Sequence, residues 1–157
     1  GILGGAKRKA SGLDPNRLAM LLAVLEQHGG LRLADQDVYA SAAGGVRLLE
    51  PGTDLAVALS VAGARMGRTV PPGFAAVGEV SLSGQIRPCS HLEQRIAAAA
   101  RRGVRCLAVP AAQADTRNSG RIELLPVERI GQALDFLAPT GPESAGAKPK
   151  RLKQSTN

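Results

Sequence analysis

Residues 104–109, Val-Arg-Cys-Leu-Ala-Val, lie between Gly103 and Pro110, and this short, bounded and nearly continuous apolar run most narrows the choice of fold. A strand that is apolar on both sides needs cover on both faces, as central parallel strands have when helices pack above and below them. The segments around it supply those helices. Asp14-Pro15 offers an N-cap and a proline for the first turn; Leu18, Leu21, Leu22 and Leu25 then recur at helical spacing until Gly29-Gly30. Glu50 to Asp54 carries turn and capping chemistry ahead of the small apolar run Leu55–Ala64, a second, buried helix with Thr53 as its expected cap. Ser90 or His91 starts a third helix that runs through Arg102, with Leu92, Ile96, Ala99 and Ala100 inward and Gly103 as its stop. Pro126-Val127-Glu128 is expected to open a last helix, with Ile130, Ala133, Leu134 and Leu137 inward, before Pro139 closes the domain.

Short strands fill the gaps. Residues 37–43 alternate towards Gly44-Gly45, and 46–49 resume as an apolar edge. Phe74–Leu82 reads as a mostly buried strand, with Gly84–Arg87 returning as a hairpin partner, and Ile122–Leu125 as a further strand. Alternating helices and strands in 157 residues, 44% of them hydrophobic, predict one α/β domain able to close its own core. The expected boundaries are a flexible, glycine-rich basic stub over 1–13, the fold over 14–139 and a disordered basic tail over 140–157. No apolar run approaches the ~20 residues of a membrane span, and no signal-peptide pattern is read at the start. Cys89 and Cys106 are too few for a disulfide framework and match no zinc spacing, so a reduced, cytoplasmic setting is expected.

The net charge of +7 is unevenly distributed. Residues 1–12 carry +3 and residues 140–157 another +3, which leaves 13–139 at +1, and every lysine lies in the two end segments. The thirteen basic residues of the body are all arginine. Arginine suits two-point contact with phosphate or carboxylate, although GC-rich coding produces the same bias. Arg17, Arg47, Arg65, Arg68, Arg87, Arg101 and Arg102 fall at helix ends, turns or polar faces and are the candidate phosphate contacts; the alternative for each is an ordinary solvated arginine or an intersubunit ion pair. One tyrosine, two phenylalanines and no tryptophan give little to stack on bases, so duplex backbone is the better target.

Catalytic motifs are sparse. No stretch has the Gly-rich loop followed by Lys and Ser or Thr that cradles nucleotide phosphates, and neither His28 nor His91 has a metal-ligand partner at workable spacing. Cys89-Ser90-His91 has the composition of a nucleophile cluster, but three consecutive residues rarely address one substrate atom; the start of a helix explains them more simply.

Five ordered blocks carry a resemblance: Asp14-Pro15-Asn16-Arg17-Leu18-Ala19, Ala43-Gly44-Gly45-Val46-Arg47, Asp54-Leu55-Ala56-Val57-Ala58, Gly78-Glu79-Val80 with residues 82–88, and Leu92-Glu93-Gln94-Arg95. From about Asp14 to Leu137 the chain resembles the C-terminal Lon-protease-like domain of the bacterial RadA (Sms) DNA-repair family. The resemblance implies the Lon-type α/β (α+β) fold, a mixed sheet packed with helices in a single domain, and hexameric rings. It also implies a parent in which a zinc motif and a RecA-like ATPase core precede this domain, so that zinc and ATP belong there and no cofactor belongs here. DNA and a RecA-type recombinase are the implied partners, branched recombination intermediates the implied substrates, and the bacterial nucleoid the implied location. A pure assembly scaffold without DNA contact is the alternative.

Lon proteases pair a serine nucleophile with a lysine base, which must be unprotonated to accept the hydroxyl proton. By this resemblance the serine position falls on Gly52 and the lysine position on Glu93. Neither supplies the required group. Thr53 as a shifted nucleophile would find no lysine in the body, and arginine stays protonated, so no peptidase activity is expected.

Overall fold

The computed structural model describes residues 6–41, 50–115 and 120–140. Its centre is a three-stranded parallel sheet in the order β4 (Phe74–Ala76), β7 (Cys106–Pro110), β8 (Glu123–Val127). Phe74 and Glu123 both lie level with Cys106, so the three strands begin together. Side-chain alternation along β7 divides the interior. Ala108 joins Ala76, Leu125 and Val127 in the larger cluster, beneath α1 (Pro15–Gly29), α2 (Asp54–Met66) and α4 (Ile130–Leu134). Leu107 and Val109 face the other way, against Leu92 and Ile96 of α3 (Leu92–Arg101), with Cys89 and Ile122. The strand between Gly103 and Pro110 is thus covered on both faces, as its composition demands.

The remaining strands form two-stranded sheets, so parallel and antiparallel pairs are segregated. β1 (Arg8–Ser11) and β2 (Val38–Ser41) pair in parallel; β3 (Arg68–Thr69) with β9 (Ala138–Pro139), and β5 (Glu79–Val80) with β6 (Ile86–Arg87), pair antiparallel. The expected hairpin is present as β5–β6. Its long first strand is divided at Gly78, whose N–H donates to the Gly52 carbonyl at 2.9 Å and whose carbonyl accepts from Leu55 N–H at 3.1 Å. With φ at +153° and an added Cβ only 2.7 Å from Ile86 Cγ2, this position requires glycine, which fixes the turn at Gly52 to the end of β4.

Helix α1 follows its sequence signals: the Asp14 carboxylate accepts from Asn16 N–H at 2.9 Å, Pro15 begins the first turn, and Gly30 closes the helix in the left-handed region. Other expectations need correction. Arg8–Ser11, assigned to a flexible stub, is a strand because Arg8 donates to the Leu33 carbonyl at 2.6 Å and to the Gln36 carbonyl, while the Lys7 carbonyl accepts from Val38 N–H at 2.8 Å. Thr53 precedes α2 but does not cap it, since its hydroxyl donates back to the Glu50 carbonyl at 2.8 Å within a 3-10 turn over Pro51–Thr53. Pro126 and Val127 belong to β8 and not to the last helix; β8 is an edge strand, where a residue without an N–H is tolerated. Ala100 is exposed on α3. The expected strand over 46–49 and the tail beyond Thr140 lie outside the described residues.

Candidate functional site

Two regions hold most of the residues that the sequence singles out. The first is the corner where the Pro51–Thr53 turn meets the start of α3. Gly52 is buried there, and a Cβ on it would stand 2.9 Å from Arg95 Nη2, 3.0 Å from Arg95 Cζ and 3.1 Å from Cys89 Cβ. The guanidinium is held in place: Nε donates to the Ser90 carbonyl at 3.0 Å, and Nη2 pairs with the Glu50 carboxylate. Glu93, two positions earlier, is exposed. Arg95 fills the space beside Gly52, a role that its sequence position alone does not announce; its only signal there is its place in the Leu92-Glu93-Gln94-Arg95 block.

The rest of the corner is equally committed. Asp54, 2% exposed, accepts from Arg17 Nε at 2.9 Å and from Val80 N–H at 3.1 Å, and its second contact with Arg17 makes the pair two-pointed. The hydrogen bond to Asp54 holds the Arg17 guanidinium above its ordinary pKa, against the opposing pull of burial. Gln113 clamps the Cys89 peptide, accepting from its N–H and donating to its carbonyl, each at 3.0 Å. Burial pushes the Cys89 thiol up, and the nearby Arg95 charge only partly counters it, the reverse of what an activated thiolate needs. His91 is exposed and takes φ +60° at the start of α3. Among the described residues no group of three or more His, Cys, Asp or Glu side chains converges as metal ligands do.

The second region is the end of the fold where the parallel strands begin. Chain direction brings its parts together: α2 leads through β3 into β4, and α3 leads straight into β7. Their C-terminal ends therefore lie where β4, β7 and β8 start, because the Gly73 carbonyl accepts from the Arg105 and Cys106 N–H groups at 2.8 and 3.1 Å, and the Arg105 carbonyl accepts from Glu123 N–H at 2.8 Å. Arg65, Arg68, Arg101 and Arg102, all exposed, are brought to this end. Arg65 Nε donates to the Arg32 carbonyl at 3.0 Å. Arg105 and Arg121, exposed immediately ahead of β7 and β8, join them; neither stands out in the sequence, where they read as ordinary loop residues. Arg87, exposed on β6, lies away from this group, Arg17 is bound to Asp54, and Arg47 lies outside the described residues.

A groove of about 680 Å³ runs between β2 and the outer face of α2, lined by Val38, Tyr39, Ala56, Val57, Val61 and Ala64 among others. No helix among the described residues is long and apolar enough to cross a membrane.

Residues 37–137 match the model of the Lon protease (S16) C-terminal proteolytic domain. The chain is 40% identical over 133 residues to DNA repair protein RadA of Escherichia coli, 41% over 133 residues to that of Bacillus subtilis and 40% over 135 residues to that of Pseudomonas aeruginosa. These alignments take in 83% to 86% of this chain but only 29% to 30% of the relatives, so the chain spans less than a third of their length. A family match over most of the described fold, together with these RadA relatives, makes the chain a member of the Lon protease C-terminal proteolytic-domain family, of the kind found in RadA.

Proposed function

We propose that this domain is a non-proteolytic Lon-like module of a DNA repair and recombination ATPase, and that it assembles into rings and binds duplex DNA through its backbone. The observation that carries the reading is the gathering of exposed arginines at one end of a fold whose relatives are named DNA repair proteins. A body of charge +1 per subunit presents a dense basic surface once the arginines share one end and a ring repeats it. The peptidase reading loses its chemistry at the corner. Gly52 has no hydroxyl, Glu93 is no amine, and the guanidinium of Arg95 occupies the space between turn and helix. In proteins of the relatives' full length, ATP and zinc would be held by other segments, and this domain would support the processing or branch migration of recombination intermediates beside a RecA-type recombinase, in the cytoplasm at the nucleoid.

A pure assembly scaffold is the second reading, favoured by the groove beside α2, whose apolar lining is edged by Gln36, Asp37, Ser60 and Arg65 as a subunit contact is edged by polar groups. Gel shifts on duplex DNA over a salt series separate the two, with Lys7, Lys9, Lys148, Lys150, Arg151 and Lys153 replaced by glutamine so that, of the basic residues in the two end segments, only Arg8, bound to the Leu33 carbonyl, remains. Binding that falls steeply with salt supports the first reading. A ring in sedimentation with no retarded DNA at any salt leaves only the scaffold.

A further inference from the structure

We infer that DNA meets one end of this domain only, the end where β4, β7 and β8 begin, and that Arg68, Arg101, Arg102, Arg105 and Arg121 form the contact. This rests on the DNA-binding reading above and adds which surface is used, by which residues and in what orientation.

Charge is segregated along the strand direction. At the starting end, the acidic residues on β4, β7, β8, α2, α3 and α4 are Glu123 and Asp135, while Glu26 of α1 is engaged with its own chain, accepting from Leu33 N–H at 2.7 Å. At the opposite end stand Glu50, Asp54, Glu79, Glu93, Asp115 and Glu128, and two of the arginines there, Arg17 and Arg95, are already paired with Asp54 and Glu50. A phosphate backbone is drawn to one end and repelled from the other, which orients the subunit on DNA even though its body is nearly neutral.

Helix dipoles are a simpler reason for arginines at this end, because cations are favoured at helix C-termini. That reason covers Arg65 and Arg101, in the last turns of α2 and α3, and Arg102, the C-terminal cap of α3. It does not cover Arg105 and Arg121, which precede strands, or Arg68, which lies on β3. The last turn of α4 carries no basic residue at all. Proximity to a common ligand accounts for the whole set. The ligand is duplex, not single-stranded, because no aromatic ring is open to it at this end: Phe74, which opens β4, and Phe136 are buried against each other at 5.3 Å between ring centres, and the exposed Tyr39 lies on β2. Unpaired bases would have no ring to stack on.

The test uses the full chain with the six lysine and arginine residues of the end segments replaced as above, a labelled duplex, and a salt series. Arg102→Glu, Arg105→Glu and Arg121→Glu together are expected to lower affinity on the order of 100-fold near 0.1 M salt and to flatten the log–log salt slope by about 3, close to one unit for each phosphate that is no longer neutralised. The glutamine triple variant, free of added repulsion, should show the same flattening. Arg87→Glu with Arg129→Glu, away from this end, should change affinity by less than about threefold, the residual effect of long-range charge. An unchanged slope in the glutamine triple variant, or a larger loss in the Arg87 and Arg129 pair, overturns this assignment while DNA binding stands. Loss of binding together with loss of the assembled species in sedimentation also overturns it, since the face would then join subunits. If the starting protein retards no duplex at any salt, the DNA-binding reading itself fails.

Discussion

At the Gly52 corner, Arg17 and Arg95 lie against carboxylates of their own chain, whereas Arg68, Arg101, Arg102, Arg105 and Arg121 extend into solvent at the start of the parallel sheet. The same side chain does different work in the two places. An arginine whose planar fork is matched by an internal carboxylate fixes local geometry and has little left for a ligand; one that projects from a strand or helix end keeps its donors available. Arg17 has the sequence profile of a phosphate contact, near a helix start in a polar turn, yet Asp54 claims it. Cover over the arginine itself is what separates the cases, because Arg17 and Arg95 are both partly buried although Asp54 is buried and Glu50 is exposed, and that cover is set by the fold.

The contrast is put at risk most directly at Asp54. Asp54→Asn removes a buried charge that satisfies both Arg17 and the Val80 N–H, and strands a partly covered guanidinium. Breaking a buried pair from one side costs about 3 kcal/mol, taken at the low end because Arg17 keeps some exposure. Urea unfolding should show that loss, with DNA affinity of the surviving folded protein unchanged. A variant as stable as the parent would mean that the corner is not held by this pair.

Rebuilding the dyad is the next test in size. Gly52→Ser places a Cβ within 3.1 Å of both the Arg95 guanidinium and Cys89 Cβ, and overpacking of this kind costs about 1–2 kcal/mol. Adding Glu93→Lys restores the residue types of the peptidase pair, but the turn and helix are still separated by Arg95. No hydrolysis of an unfolded protein substrate is expected from the double variant. Arg95→Ala should recover most of the stability lost by Gly52→Ser, because the long side chain is the element that must move. Peptide-bond cleavage by the double variant with Arg95 in place would show that the corner is open after all.

Reversing charge at the other region should leave the fold nearly untouched. Arg68→Glu and Arg121→Glu replace exposed side chains and are expected to shift unfolding free energy by no more than about 0.5 kcal/mol each. Their effect belongs in the salt dependence of DNA binding. A stability loss comparable to that of Asp54→Asn would mean that the two regions do not differ in kind.

Local signals in the sequence carried much of the fold. The Asp14-Pro15 start, the Gly30 stop and the strand between Gly103 and Pro110 are each decided within a few residues by capping, left-handed backbone and two-sided burial. What was not legible depends on which ends meet. Arg105 and Arg121 lie sixteen positions apart in the chain and become neighbours only through the parallel pairing of β7 and β8. Arg95 is an unremarkable helix residue until the Pro51–Thr53 turn, itself tied to Gly78, is laid against it. The polar strand Arg8–Ser11 has no apolar alternation to announce it and exists through its partner β2 and the bonds of Arg8. The Gly52 and Glu93 positions came from family resemblance, and no rule of spacing would have found them.

The smallest effect lies with Cys89. Its thiol is held above the ordinary value, about 8.5, chiefly by burial. A folded-state value above the unfolded one means that the native protein binds this proton more tightly, so the contribution to stability is complete below the unfolded value and disappears as pH rises through the folded one. Unfolding midpoints measured from pH 7 to pH 10 should therefore fall more in the parent than in Cys89→Ala, and the difference between the two isolates this group from other titrations in that range. Arg95→Gln makes the test more exacting, because it removes the charge that draws the thiol back down: alkylation of Cys89 should then become slower at a given alkaline pH. Faster alkylation would show instead that Arg95 acts there mainly as a cover, and that the corner is closed by bulk more than by charge.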